Sequence, residues 1–213
     1  MEILFSDDRV IVCVKPAGVL STDEPGGMPE LLRQEIGDPD AVVKSVHRLD
    51  RTIGGVMAYA RTRRAASDIG RQIKDGTFRK TYLAVVCGTP EEETGTLHHW
   101  LLRDRAVRRT LIVSEGTEGA QEAILDFTVL ETREELSLLS VRLCTGRTHQ
   151  IRCQLAHIGH PIVGDRKYGS GVDGESPALW SKEIRFLHPR TGEQMAFHRA
   201  PPGIDPWTRF QTE

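Results

Sequence analysis

A mixed α+β fold is predicted for this chain, and three observations predict it. Apolar runs of strand length occur at residues 10–14 and 55–60, each bounded by turn signals. Two alternating segments, residues 123–129 and 139–143, flank the polar Thr132-Arg133-Glu134-Glu135 and read as a β-hairpin. Helical periodicity is confined to residues 62–75, 148–158 and one short stretch near 29–36, so strands come as hairpins as often as with helices.

The elements follow in order. Val10-Ile11-Val12-Cys13-Val14 is a continuous apolar strand, and Lys15-Pro16-Ala17-Gly18 turns the chain out of it. Residues 21–44 are rich in Gly, Pro, Asp and Glu and read as a surface connection around a short helix at 29–36. Residues 55–60 form a second buried strand. Thr62 is the N-cap of a helix to Asp75, with Ala66, Ile69 and Ile73 on one face and Gly76 as its stop. Residues 81–87 are a β-branched strand ended by Gly88. Residues 89–120 read as a series of polar turns carrying a basic cluster, Arg103, Arg105, Arg108 and Arg109 against Asp104. After the hairpin comes the helix at 148–158, with Ile151, Leu155 and Ile158 on its apolar face and Arg152 off it. A strand at 183–187, the turn 188–192 and a strand to Phe197 close the fold.

The totals narrow the function. A chain of 213 residues can bury a good core and is expected to form one domain over 1–213. No apolar run approaches the roughly 20 residues of a membrane span. The first eight residues lack the basic and apolar regions of a signal peptide. The four cysteines contain no C-x-x-C pair, and three of them sit in apolar or strand-like runs, so buried free thiols in a cytoplasmic protein are expected. The net charge is −2, yet residues 44–80 hold ten Lys/Arg against three acids. A local basic face on a near-neutral protein suits a phosphate-backbone track; a solvated helix face is the competing reading.

Three stretches carry candidate chemistry. Asp50 lies between Arg48 and Arg51 and precedes Gly54-Gly55, so it is either a carboxylate exposed on a tight loop or a turn-capping, arginine-paired Asp. Lys80 and Tyr82 share one strand face. Gly146-Arg147-Thr148-His149-Gln150-Ile151-Arg152 opens a helix, and Arg152 is either a solvated arginine or one holding a carboxylate bidentately. His149, His157 and His160 lack the ligand pattern of a zinc site, and no metal is expected.

Together these stretches resemble the RluA family of pseudouridine synthases. The resemblance rests on His47-Arg48-Leu49-Asp50, Lys80-Thr81-Tyr82 and the run from Gly146 to Arg152. His157-Ile158-Gly159-His160-Pro161-Ile162-Val163-Gly164-Asp165, Tyr168-Gly169 and His188-Pro189-Arg190-Thr191-Gly192-Glu193 extend it in the same order. It implies a curved, mixed, mostly antiparallel sheet with flanking helices and a central catalytic cleft. It implies isomerisation of uridine to pseudouridine in a tRNA or rRNA stem-loop, without cofactor or metal. Asp50 is similar to the family's nucleophile, Tyr82 to the residue stacked on the base, and Arg152 to the salt-bridge partner of Asp50. Arg48 is similar to the arginine that fills the gap left by the flipped uridine. Ile151 is expected as a pocket wall, and His47, Lys80 and Arg147 on the RNA side of the site. A monomer without membrane association is the default.

Departures accompany the match. Ile53-Gly54-Gly55 stands where the family usually has Thr-Ser-Gly, and Leu179-Trp180-Ser181 where it has Leu-His-Ala. The family's frequent N-terminal S4 domain is not expected, because Met1 starts almost at the catalytic core. An inactive RNA-binding or chaperone protein of the same fold is the alternative, supported by Ile53-Gly54 alone. A metal-dependent hydrolase is remote.

Overall fold

The computed structural model describes residues 1–169 and 176–212. Its elements are β1 (Glu2–Ser6), β2 (Val10–Lys15), α1 (Met28–Glu35), β3 (Lys44–Ser45), β4 (Gly54–Ala60), α2 (Arg63–Asp75) and β5 (Arg79–Cys87). Then come β6 (Thr94–Asp104), β7 (Arg109–Val113), β8 (Gln121–Arg133), β9 (Leu136–Leu143), α3 (Gln150–His157), β10 (Leu179–Leu187) and β11 (Gln194–His198). They fall into two compact units, Met1–Lys80 with Trp180–Ala200, and Thr81–Leu179 with Pro201–Glu213. Strand pairing is mostly antiparallel, with β10 parallel to β4, so the predicted mixed α+β class holds.

In the first unit the strand order is β1-β2-β4-β10, with β3 paired to β4 and β11 to β10. Every residue of β4 is buried. A strand covered on both faces and flanked on both edges needs no polar alternation, which is why Gly54-Gly55-Val56-Met57-Ala58-Tyr59-Ala60 reads as a continuous small and apolar run. Val10, Val12, Val56 and Ala58 pack with Ala65 and Ile69 of α2 and with Phe78, Ile184 and Phe186. Helix α2 starts and stops where its sequence says. Thr62 Oγ1 accepts the Ala65 N–H at 3.0 Å, and Gly76 takes the left-handed conformation at φ 78°.

The second unit runs β5-β9-β8-β6-β7, each strand antiparallel to the next. The β8–β9 hairpin turns at Glu134, as the alternation predicted. Residues 89–120 are a correction: instead of polar turns they hold an 11-residue strand, β6, and its hairpin partner β7. The polar residues misled because β6 exposes alternate side chains, Thr94, Thr96 and His98, while its other face turns Leu97, His99 and Leu101 toward α3. The basic cluster at 103–109 is the tip of that hairpin. The thiols also divide differently from expectation, Cys13 and Cys153 buried, Cys87 half-buried and Cys144 exposed. No helix among the described residues is long and apolar enough to cross a membrane.

Candidate active site

The predicted site residues gather in two groups, one in each unit. His47, Arg48, Asp50 and Lys80 belong to the first; Tyr82, Arg147, Ile151 and Arg152 belong to the second.

In the first group Asp50 is half-buried and both its neighbours are fixed through their backbones. On the N-terminal side, the buried Ser21 hydroxyl donates to the Leu49 carbonyl at 2.8 Å and accepts the Leu49 N–H at 3.1 Å. On the other side, Lys15 Nζ donates to the Arg51 carbonyl at 3.2 Å as well as to those of Val19 (2.7 Å) and Pro16 (2.9 Å). The Gly18 N–H reaches the same Arg51 oxygen at 2.8 Å, and Arg51 Nε returns a bond to the Gly18 carbonyl at 2.8 Å. Burial pushes the Lys15 amine down to about 8, against the opposing pull of the Asp50 and Cys13 charges. An amine with three carbonyl acceptors on a fully buried stem is a fixed brace. Arg48 beside Asp50 is exposed.

His47, expected on the RNA side, has a ring that is only 8% exposed. Its Nε2 accepts the Ala58 N–H at 3.1 Å, and the ring lies 5.2 Å from that of Phe78. Burial, aided by the nearby Lys80 charge, pushes its pKa down to about 3, so it is a neutral wedge between the motif and β4. Lys80 is half-buried, with its amine also lowered by burial.

In the second group Arg152 is 6% exposed, not on a solvated face. Helix α3 is buried from Gln150 to Leu155, because Gln150 and Gln154 spend their amides on strand backbone. Gln150 Nε2 donates to the Ile124 carbonyl at 3.0 Å, and Gln154 Nε2 to those of Leu97 and Ala123, each at 3.1 Å. The bidentate geometry predicted for Arg152 is realised on Asp165, Nε to Oδ2 at 2.7 Å and Nη2 to Oδ1 at 2.8 Å. Asp165 is fully buried and also accepts the N–H groups of Lys167 and Tyr168. The Arg152 guanidinium lies 5.3 Å from the centroid of the Tyr168 ring, whose hydroxyl accepts the Thr110 N–H at 2.9 Å. Ile151 and Tyr82 are buried, Tyr82 opposite Val141 of β9. Arg147 is tied to β8 by Nε to the Glu122 carbonyl at 2.8 Å.

Sequence reading missed Ser21, Lys15 and Asp165 as supports. Lys15 carried a signal, a lysine closing an apolar strand just before Pro-Ala-Gly, which a buried position obliges to find acceptors. Ser21 carried none.

The two departures from the family pattern meet each other. In the parallel register Trp180 lies opposite Gly54 and Ser181 opposite Gly55. A Cβ on Gly54 would stand 2.5 Å from Trp180 Cζ3 and 3.1 Å from the Lys15 carbonyl oxygen. Gly55, at φ 125°, has the Ser181 backbone where a side chain would go. The indole is anchored by Nε1 to the Arg199 carbonyl at 2.8 Å. A large residue at 180 and no side chain at 54 are one steric exchange.

Residues 9–157 match the family model described as RNA pseudouridylate synthase. The chain is 34% identical over 202 residues to the uncharacterized RNA pseudouridine synthase YhcT of Bacillus subtilis, covering 91% of this chain and 66% of that protein. It is also 34% identical over 206 residues to the ribosomal large subunit pseudouridine synthase C of Pasteurella multocida, covering 91% and 62%. The chain thus spans about two thirds of the length of these curated relatives. Among solved structures, human RNA pseudouridylate synthase domain containing 1 matches with TM-score 0.80 at 25% identity, over 95% of this chain and 84% of that one.

Proposed function

Because the chain belongs to the RNA pseudouridylate synthase family, we propose that it isomerises specific uridines to pseudouridine in a structured tRNA or rRNA, with Asp50 as nucleophile. The observation that supports this best is the bracing of Leu49 and Arg51, which sets the half-buried Asp50 between two residues whose backbone is hydrogen-bonded. A pinned nucleophile needs little reorganisation when the reaction begins.

The target uridine leaves its stack and Arg48 takes the vacated place. The Asp50 carboxylate then acts on the ribose by one of two routes. It forms an ester bond at C1′ as the N1–C1′ bond breaks, a bond that opens again when C5 attacks C1′, or it removes the C2′ proton so that uracil departs and leaves a glycal, which takes that proton back at C2′ when C5 bonds to C1′. Uracil turns over, C5 bonds to C1′, the C5 proton passes to solvent and N1 gains one. The carboxylate is regenerated, and no cofactor enters the balance. Tyr82 faces the base, Ile151 walls the pocket, and Arg152, held rigid by Asp165, orients and stabilises the Asp50 carboxylate. Dry, apolar surroundings keep water from the freed sugar.

The test is tritium release from RNA labelled at uridine C5, with pseudouridine mapping of tRNA and large-subunit rRNA from cells lacking the gene. Release by wild type and a site that vanishes in its absence support the reading and name the RNA. Undiminished RNA binding with no release and no vanished site would leave the RNA-binding alternative in its place.

A further inference from the structure

At the other end of β4, away from Asp50, lies a cavity of about 250 Å³ lined by Arg9, Arg64, Ala65, Asp68, Pro189 and Arg190. Three arginines enter it from three separate segments: the β1–β2 turn, the first turn of α2 and the β10–β11 turn. Each segment is held by a local hydrogen bond. Asp7 Oδ1 caps the first by accepting the Arg9 and Val10 N–H groups at 2.7 and 2.8 Å. Thr62 caps the second. In the third, His188 Nδ1 accepts the Thr191 N–H at 3.2 Å while Nε2 contacts Asp7 Oδ2 at 2.9 Å.

The charges do not cancel. Asp8 Oδ2 is shared between Arg9 Nε (3.2 Å) and Arg190 Nη1 (3.1 Å), and Asp68 is held by Arg71 at 2.6 Å. Among the described residues Arg9 and Arg190 thus share one carboxylate, Asp68 is taken by Arg71 and Asp7 by His188, and Arg64 has no carboxylate in ion-pair range. Arg9 Nε is buried and, although Asp8 lies near, makes no hydrogen bond among the described residues. An arginine-lined hollow beside a helix N-terminus, in which the buried Arg9 Nε has only the ion-pair contact of Asp8 and no aligned hydrogen bond among the described residues, is chemistry that a phosphate group satisfies.

We propose that this cavity is an anion site that binds a phosphate group, supplied by the backbone of the RNA substrate. This rests on the RNA-modifying reading above and deepens it. The Arg61 N–H bonds the Arg9 carbonyl at 2.7 Å, which places the cavity at the Ala60 end of β4. Asp50 precedes the Gly54 end, and the six steps of about 3.3 Å from Gly54 to Ala60 set the two strand ends about 20 Å apart. The RNA therefore extends roughly six stacked nucleotides from the target, at about 3.4 Å each.

The test uses the full chain as Asp50→Asn, so that turnover does not enter, with labelled transfer RNA as a generic folded RNA and sodium phosphate as the free anion. In Arg64→Gln/Arg190→Gln, RNA affinity falls and the slope of log Kd against log salt shrinks by about 0.7 to 0.9 for each phosphate left without its arginine. Arg64→Lys/Arg190→Lys restores the slope, and Arg133→Gln, removing a distant surface charge, leaves it unchanged. In parallel, the Nε–Hε resonance of Arg9 is followed during phosphate titration. A reduced slope identifies RNA as the source. An unchanged slope with an Arg9 resonance that moves only when Arg64 and Arg190 are present retains the anion site but assigns it to a free phosphate. An unchanged slope with an unmoved resonance overturns the proposal. Tritium release by wild type is scored separately, so failure of the isomerase reading is distinguishable from failure of this one.

Discussion

Gly54→Ser is the perturbation whose size the structure defines most sharply. The new Cβ would stand 2.5 Å from Trp180 Cζ3 and 3.1 Å from Cε3, about 1 Å inside the roughly 3.5–4.0 Å optimum for carbon pairs. Neither neighbour yields easily, since the indole is held by Arg199 and the third contact is the Lys15 backbone oxygen. Overpacking of this kind costs about 1–3 kcal/mol. At about 2.1 cal/mol/K per residue, the 213-residue chain has an unfolding entropy near 0.45 kcal/mol/K, so the melting temperature should fall by roughly 2–7 °C. Trp180→His alone should also destabilise, by opening a cavity beside Gly54. The double variant restores the family's usual pairing of Ser with His, and its loss should be smaller than the sum of the singles by about 1–3 kcal/mol. Urea unfolding at constant m-value measures all four corners of the cycle. Turnover should follow the same pattern, because Gly54 lies four residues after Asp50 and a displacement of about 1 Å can cost on the order of a hundredfold. The single variant should lower kcat with little change in KM, and the double should recover it. Strict additivity in both assays would refute the steric exchange.

Three further outcomes are expected. Asp165→Ala removes the bidentate carboxylate from the buried Arg152 and should cost about 3–5 kcal/mol in chemical denaturation; a loss under about 1 kcal/mol would contradict a buried ion pair. Ser21→Ala removes both hydrogen bonds to Leu49 and should cost about 1–3 kcal/mol while lowering kcat more than RNA affinity, as single-turnover kinetics would show. For His47, the folded pKa of about 3 lies below the ordinary 6.5, so its contribution is present in full above pH 6.5 and is lost as pH falls toward 3. Wild-type stability should drop through that window by up to about 1.4 kcal/mol per pH unit relative to His47→Phe, and parallel pH profiles would rule this out.

What the sequence made legible was whatever depends on local rules. Thr62 and Gly76 bound α2 because capping and left-handed backbone are decided within a few residues. The β8–β9 hairpin was visible because strict alternation accompanies a sheet with one wet face. Strand β6 was not, since His98, His99 and Trp100 blur its alternation and only pairing with β8 and packing against α3 make it a strand. The same limit governed the site. The family resemblance nominated Asp50, Tyr82 and Arg152 as candidates, while the burial of Arg152 depends on Asp165, 13 residues away, and the fixing of Leu49 on Ser21, 28 residues away. Those partnerships are tertiary, and no periodicity announces them. The departures at 53–54 and 180–181, separate puzzles in the sequence, became one once the register of β4 and β10 was known.

The central claim is that the Asp50 carboxylate performs the chemistry, and tritium release by Asp50→Asn tests it most directly. The substitution keeps the side chain's size and removes its charge. The account predicts no detectable release, with wild-type melting behaviour and RNA affinity within about threefold, less than about 1 kcal/mol. Retained turnover in that variant would contradict it.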